Sequence, residues 1–168
     1  PSDVDAGTAW TRLVDGVADV LATAAAHGVP LGFEPEPGML VQTIADWRRL
    51  FDTLGRPSGL GLTLDIGHCR CVEPRDVPEC VAAVAGHLVN VQIDDMRRGV
   101  HEHLEFGTGE IDFPPVLRAL IDGGYRGLVA VELPRHSHAA PVVARDSLAF
   151  LRAAEAAATE SKEVTHAS

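Results

Sequence analysis

Four polar side chains follow directly on short apolar runs, and their types suit the binding of a metal ion. The runs are LGFEPEPG (31–38), LGLTLDIGH (60–68), LVNVQIDD (88–95) and LVAVELPRH (128–136), and the four side chains are Glu34, Asp65, Gln92 and Glu132. If the runs are parallel strands, their carboxyl ends meet at one edge of a sheet, where α/β proteins bind ligands. Carboxylates are hard ligands for Mg²⁺ or Mn²⁺, and together with imidazole they suit Zn²⁺, Co²⁺ or Fe²⁺. The pattern therefore predicts an acidic metal site.

Each of these residues also has an ordinary structural explanation when it is considered alone. Glu34 precedes Pro35 at a turn, where its carboxylate could simply be solvated. Asp65 could cap a following helix. Glu132 is harder to explain in this way, because it ends the apolar run 128–131 and a buried carboxylate is unfavourable unless it is paired, solvated or bound to metal. The combination of the four residues is what favours a metal site.

Histidines and an arginine lie near the same strand ends. His101 and His103 belong to the segment HEHLEFGTGEID (101–112), which is predicted to be a long loop after the third run. Its glycines predict a fixed turn that could bring backbone N–H groups near a ligand. The two histidines could be solvated or could bind that ligand. Arg135 follows the fourth run, where it could meet an anionic group of a substrate or lie exposed on the surface.

The elements that position these residues are predicted to be βα units. The four runs recur about every 30 residues with helical stretches between them, which is the spacing of a parallel sheet in an α/β protein. Apolar periodicity and Gly or Pro stop signals predict helices over residues 10–24, 43–54, 75–85, 113–122 and 142–158. Asp112 is predicted to cap the fourth of these helices. The tail 159–168 is predicted to be disordered.

The number of units predicts part of a barrel. With 168 residues, 46% of them hydrophobic, the chain can bury one sizeable core, yet it contains only four clear βα units. Residues 1–158 are therefore predicted to supply the last four units of an eight-stranded (β/α)8 TIM barrel. An N-terminal half from the same gene, or a second copy in a homodimer, should cover the two open sheet edges. An open flavodoxin-like sheet is the alternative, but no Gly-rich phosphate loop follows the first run.

The composition argues against several classes of partner and location. The 14 Lys and Arg stand against 24 Asp and Glu, so a nucleic-acid or anionic-membrane surface is not expected. No apolar run reaches the roughly 20 residues that a membrane span requires. The 3 cysteines are odd in number, so a disulfide framework is not expected and a reducing cytoplasm is the predicted location.

Taken together, these motifs resemble the C-terminal half of the xylose isomerase-like TIM-barrel superfamily. That superfamily includes sugar phosphate isomerases and epimerases, ketose 3-epimerases, inosose dehydratases and endonuclease IV. The resemblance is carried by LGFEPEP, LDIGH, HEHLEFGTGEIDFPPVLRALIDGGYRG and VAVEL, and it spans residues 8–155. It implies one divalent metal ion (Mn, Co, Mg or Zn), held by Glu34, Asp65, the residue at position 92 and Glu132.

The chain departs from the family pattern at one of these ligand positions. The family usually has a histidine there, followed three residues later by an aspartate, whereas this chain has Gln92 and Asp95. A Gln carbonyl oxygen can coordinate a hard cation, but it is neutral and poorly suited to Zn²⁺. The substitution therefore predicts weaker metal binding with a preference for Mn²⁺ or Mg²⁺.

The resemblance also implies a reaction and roles for the remaining residues. A sugar substrate would be isomerised or epimerised through an enediolate, with Glu34 and Glu132 as the acid/base pair. His68, His103 and Arg135 would bind the substrate. Two alternatives remain open. One is a metal-dependent phosphodiesterase like endonuclease IV, in which the positions of His68, His101 and His103 supply further zinc ligands. The other is a non-catalytic barrel with a decayed metal site.

Overall fold

The computed structural model describes residues 4–165 of the chain and the side chains of residues 4–160. Within these residues the elements are α1 (Ala6–Ala26), β1 (Leu31–Phe33), α2 (Ile44–Thr53), β2 (Leu60–Asp65), α3 (Ile66–Val72), α4 (Val77–Val84), β3 (Leu88–Ile93), β4 (Asp95–Arg97), β5 (Val100–Leu104), α5 (Phe113–Asp122), β6 (Val129–Val131) and α6 (Ala140–Thr165). Short 3-10 helices lie at Ala85–His87 and Pro134–Ala139.

The four predicted strands form one parallel sheet in the order β1-β2-β3-β6. This confirms the predicted α/β class, and the chain is a partial barrel. Asp65 pairs with Gln92, and Gln92 pairs in turn with Ala130, so the strand ends lie at one level. A register shift between Leu62 and Thr63 leaves one extra residue on β3. Such bulges alter the direction of the side chains that follow them.

The helices cover one face of this sheet with a continuous apolar core. Its fully buried members include residues from the two central strands and from three helices: Leu62, Leu64, Val91, Ile93, Trp47, Leu50, Val81, Val84 and Val116. The other face, here called the inner face, carries small or polar residues. A Cβ atom placed on Gly32 would lie 2.6 Å from Thr63 Oγ1, so the strands approach too closely there for a larger residue. The inner face ends at the predicted metal site.

Local signals account for where several helices begin. Thr43 and Asp46 form a reciprocal capping box at the start of α2. Asp112 lies at the N-cap position of α5, as predicted, but its side chain makes no capping hydrogen bond, and proline in the first turn starts the helix instead. The last helix continues past residue 158 to Thr165, and residues 166–168 of the predicted tail lie outside the described residues.

The segment predicted as a long loop is partly a hairpin. Strands β4 and β5 pair antiparallel, with Asp95 opposite Leu104. His101 and His103 therefore lie on a strand, which corrects the prediction that they belong to a loop. The sequence signal was weak because the strand, VHEHL, carries charged residues where apolar ones were sought. Among the described residues, no helix has both the length and the apolar character needed to cross a membrane.

Candidate metal centre and active site

The four strand-end residues predicted from the sequence lie at one edge of the sheet. Glu34 follows β1 directly, Asp65 ends β2, Gln92 lies within β3, and Glu132 follows β6. The backbone N–H of Glu132 donates to Ile93 O at 3.1 Å, which continues the strand pairing as far as that residue. The carboxylates of Asp65 and Glu132 both act electrostatically on Glu34. The parallel register thus brings the four predicted residues to one edge. Among the described residues, Glu34 and Asp65 lie close enough to share an ion, together with His68, whereas Glu132 belongs to no such group of acidic and histidine side chains.

Asp65 caps helix α3 with one carboxylate oxygen, and its other oxygen has no hydrogen-bond partner among the described residues. Its Oδ1 accepts from the backbone N–H of His68 at 2.7 Å, at the start of α3. Its Oδ2 is buried without a hydrogen-bond partner. The capping role and the ligand role considered for this residue are therefore compatible, since they use different oxygens.

Several buried oxygens at this edge lack hydrogen-bond donors. They are Asp65 Oδ2, Gln92 Oε1 and Glu132 Oε2. A buried acceptor without a donor is unfavourable, and more so when it carries a charge. Ligand atoms of Glu34, Asp65 and His68, and those of Asp65, Asp94 and His103, lie within 4.8 Å of one another, so a cation could bind at Asp65. Oxygen-rich sets of this kind suit hard ions. The residues present therefore fit a metal ion.

The carboxylate of Glu34 is poised to exchange a proton near neutral pH. Burial raises its pKa to about 7, and the carboxylates of Asp65, Glu132 and Glu36 act in the same direction, whereas His68 opposes them. His68 Nδ1 lies 3.6 Å from Glu34 Oε1. A carboxyl group with a pKa near 7 can act as either general base or general acid.

Asp94 belongs to the site although the sequence analysis did not select it. Its side chain is 0% exposed, and Oδ2 lies in direct contact with His103 Nδ1. Burial raises the pKa of Asp94 to about 9, together with the carboxylates of Asp65, Glu132 and Asp95. The available signal was strand alternation, because residues 92 and 94 share a face of the chain.

Three histidines form a cluster beside these carboxylates. The ring centroid of His68 lies 4.9 Å from that of His101 and 5.6 Å from that of His103. His68 Nδ1 lies 3.1 Å from Pro35 O, and His68 Nε2 lies 3.1 Å from His101 Nε2. The carboxylate of Glu36 approaches both rings, at 3.7 Å from His68 Nε2 and 3.5 Å from His101 Nε2. Strand β5 therefore brings imidazoles over the end of β2.

Two other predicted features do not contact the strand-end carboxylates. The side chain of Arg135 is 72% exposed, and its Nη1 lies 3.7 Å from Glu102 Oε1. The N–H groups of Gly107 and Gly109, which were predicted to approach a ligand, instead donate to Asp95 Oδ2. The turn is fixed as expected, but its N–H groups already donate to Asp95 and do not point to a ligand.

Comparison with known proteins agrees with this architecture. The sequence profile described as xylose isomerase-like TIM barrel matches residues 1–154. The inosose dehydratase of Erwinia tasmaniensis is 30% identical over 145 residues, which cover 73% of this chain and 47% of that protein. The structure of an L-ribulose 3-epimerase has a TM-score of 0.75 at 25% identity and is matched over 93% of this chain and 57% of its own.

A further similar structure shows a metal on the same fold. It is the IolI protein with a bound zinc atom, which has a TM-score of 0.68 at 20% identity and is matched over 94% of this chain and 59% of its own. At that identity the likeness shows the fold alone. This chain spans about half the length of the curated relatives it matches.

Proposed function

Because the chain belongs to the xylose isomerase-like TIM-barrel family, we propose that it is part of a metal-dependent isomerase or epimerase of sugars or sugar phosphates. Its relatives include proteins named as sugar epimerases and inosose dehydratases. The observation that carries the proposal is the group of buried oxygens without donors at the strand ends. A group of this kind beside Glu34, whose pKa is near 7, combines a cation site with a proton acceptor.

The proposed ligands are the residues that converge at the sheet edge, Glu34, Asp65, Gln92 and Glu132. A bound Mn²⁺, Co²⁺, Mg²⁺ or Zn²⁺ would polarise the carbonyl and hydroxyl oxygens of an open-chain sugar. The ring of His68 donates from Nδ1 to Pro35 O and is thereby held in orientation beside Glu34. Fixed neighbours of this kind orient ligands and tune their basicity.

Glu34 and Glu132 are the proposed proton carriers. They follow β1 and β6, the two outer strands of the sheet, so they flank a substrate from opposite sides. In an epimerase one carboxylate removes the proton next to the carbonyl and the other returns a proton to the opposite face of the same carbon. In an isomerase the proton returns to the neighbouring carbon.

His68, His103 and Arg135 are the proposed substrate-binding residues. The histidines present ring nitrogens beside the carboxylates of Asp65 and Asp94, where they could donate to or accept from sugar hydroxyls. Arg135 is exposed near the end of β6 and would contact an anionic group, such as a phosphate, at the mouth of the site.

The proposed enzyme needs a second half to close its barrel. Strands β1 and β6 each have one neighbour within the described residues. Leu128 is 80% exposed beside β6, and Val129 and Val131 are also exposed. A second set of βα units, from the same gene or from another copy, would cover this apolar surface and complete the site.

The test is the loss of proton transfer in Glu132→Gln. Full-length protein loaded with Mn²⁺ is offered ketoses and ketose phosphates, and solvent deuterium incorporation is followed by mass spectrometry. Glu132→Gln should lower the exchange rate at least about 100-fold, the range for a lost general acid or base. Glu155→Gln, an exposed change on α6, is the control and should keep the wild-type rate. Retention of that rate in Glu132→Gln would exclude the assignment.

A phosphodiesterase like endonuclease IV is the second candidate, and the histidine cluster favours it. His68, His101 and His103 offer ring nitrogens within 4.8 Å of one another, which suits an additional zinc ion. Elemental analysis of the full-length protein distinguishes the candidates. One Mn²⁺, Co²⁺ or Mg²⁺ per barrel supports the isomerase or epimerase, whereas two or three Zn²⁺ support phosphodiester cleavage. No bound metal under any condition would point to the non-catalytic barrel.

A further inference from the structure

We propose that Asp94 is a direct ligand of the metal ion beside Gln92 and supplies the negative charge that the neutral amide lacks, with His103 as the adjacent nitrogen donor. The inference rests on the proposed function, because it concerns the ligand set of the same site. It adds to the four strand-end residues the carboxylate that directly follows β3, and it assigns His103 to the metal ion instead of the substrate.

The first support is position. Residues 92 and 94 lie two apart along an extended chain, so both face the inner side of the sheet. Asp94 lies just past Ile93, the last residue of β3, at the edge where Glu34, Asp65 and Glu132 also end their strands. A ligand at residue 94 therefore lies on the same face as residue 92 and closer to the carboxyl end of the sheet.

The second support is the contacts of the Asp94 side chain. It is 0% exposed, and the groups that contact its oxygens are the backbone N–H of Gly67 and the ring of His103. Donor atoms of Asp65, Asp94 and His103 lie within 4.8 Å of one another, which is close enough for one ion to bind all three. His103 Nδ1 lies in direct contact with Asp94 Oδ2, so the proposed oxygen and nitrogen ligands are adjacent.

The third support is charge. Asp94 is buried, and the carboxylates of Asp65, Glu132 and Asp95 all repel its negative charge, whereas the backbone N–H of Gly67 opposes them. Buried carboxylates that repel one another are stable together when a cation lies among them. A divalent ion would compensate this cluster, whereas the neutral amide of Gln92 removes no negative charge from it.

The fourth observation that supports the proposal is a glycine that leaves room for the Asp94 carboxylate. Gly67 lies in the first turn of α3, and a Cβ atom there would come within 2.0 Å of Asp94 Oδ1 and 2.9 Å of Met96 Cε. Only glycine allows the carboxylate to lie against this turn beside Asp65. Gly67 is thus a positioning residue for Asp94.

The resulting ligand set differs in chemistry from one that contains a histidine at position 92. Carboxylates from Glu34, Asp65, Asp94 and Glu132 make the site more negative and richer in oxygen, and His103 supplies the nitrogen. Such a set favours Mn²⁺ over Zn²⁺, because hard oxygen ligands select for harder cations.

The test is the Mn²⁺ affinity of the full-length Asp94→Asn protein, which keeps the shape of the side chain and removes its charge. Free Mn²⁺ is followed by electron paramagnetic resonance during titration. The dissociation constant should rise at least about tenfold, since even residues that only orient a metal ligand contribute 10- to 100-fold. Asp112→Asn removes the same charge at an exposed position and should bind like wild type.

The outcomes separate this inference from the proposed function. If the wild-type protein binds no divalent metal, the proposed function fails and the inference fails with it. If wild type and Asp94→Asn bind Mn²⁺ equally well, the inference alone is wrong, and Asp94 is a structural partner of His103. In that case Asp94→Asn should also lower the unfolding temperature without metal, whereas a ligand role predicts an unchanged or higher value.

A measurement on the unaltered protein covers the case in which Asp94→Asn does not fold. Crystals of the full-length protein grown with Mn²⁺ locate the ion by its anomalous scattering. An Asp94 oxygen at about 2.2 Å from the ion, near the usual length of a bond from such a cation to oxygen, supports the inference. An ion more than about 3 Å from both Asp94 oxygens would overturn it.

Discussion

Asp94 and Asp95 are adjacent in the chain and equally buried, yet their surroundings are opposite. Asp95 is 1% exposed and accepts from the backbone N–H groups of Met96, Gly107, Gly109 and Ile111 at 2.8 to 3.1 Å. Asp94 is 0% exposed, and its oxygens are contacted by the backbone N–H of Gly67 and by His103, without the four backbone donors that surround Asp95. One carboxylate organises a turn, and the other lies among carboxylates.

The contrast shows how a buried carboxylate with a structural role can be distinguished from one that could bind a ligand. A buried carboxylate with several N–H donors stabilises the loop that supplies them, because each donor would otherwise be unsatisfied. A buried carboxylate with few donors among other carboxylates is unfavourable by itself, and a bound cation would compensate its charge. The same residue type at consecutive positions can therefore be assigned different roles from its partners alone.

The largest effect is expected for Asp95→Ala. The change leaves the N–H groups of Gly107, Gly109 and Ile111 without their acceptor, and a buried donor left unsatisfied costs about 1–3 kcal/mol. Since the donors can partly turn to water, we expect a total loss of about 3–5 kcal/mol in the free energy of unfolding, a large part of a typical domain's stability. Urea denaturation of the full-length protein measures it, with metal-free Asp94→Asn for comparison. Equal losses in the two variants would remove the distinction between the two aspartates.

A smaller effect on stability is expected for Gly109→Ala. A Cβ atom at this position would lie 2.2 Å from Asp95 Oδ1 and 2.7 Å from Met96 N, so the turn must move away from Asp95. Overpacking of this kind costs about 1–3 kcal/mol. The matched control is Gly86→Ala, because a Cβ atom on Gly86 meets nothing within 4 Å. Thermal unfolding of both variants checks the prediction, which would be wrong if Gly86→Ala destabilised the protein as much.

The smallest change is expected for Gln92→His, which restores the histidine usual in the family. The Zn²⁺ affinity relative to Mn²⁺ should rise about tenfold, or ~1.4 kcal/mol, because imidazole is a better zinc ligand than an amide oxygen. Competition with a metal-binding dye measures both constants. Asn90→His, two residues earlier on the same face, is the control and should leave the ratio unchanged. An unchanged ratio in Gln92→His would show that residue 92 does not contact the ion.

Much of the fold could be read from repeated local patterns. Each apolar run followed by a polar residue predicted a strand end, and the parallel register then placed Glu34, Asp65, Gln92 and Glu132 at one edge. Helix boundaries such as the capping box at Thr43 follow from neighbouring residues. The hairpin of β4 and β5 was missed because its polar strand carries no clear alternation.

The sequence by itself determined which side chains stand at the strand ends, because strand period and βα spacing are local properties of the chain. Tertiary structure decided which of the two neighbouring aspartates accepts hydrogen bonds from several backbone N–H groups. The donors to Asp95 lie 12 to 16 residues away along the chain at Gly107, Gly109 and Ile111. The neighbours of Asp94 come from Gly67 in α3 and His103 in β5. Such contacts depend on how the segments pack together, and no local pattern in the sequence contains them.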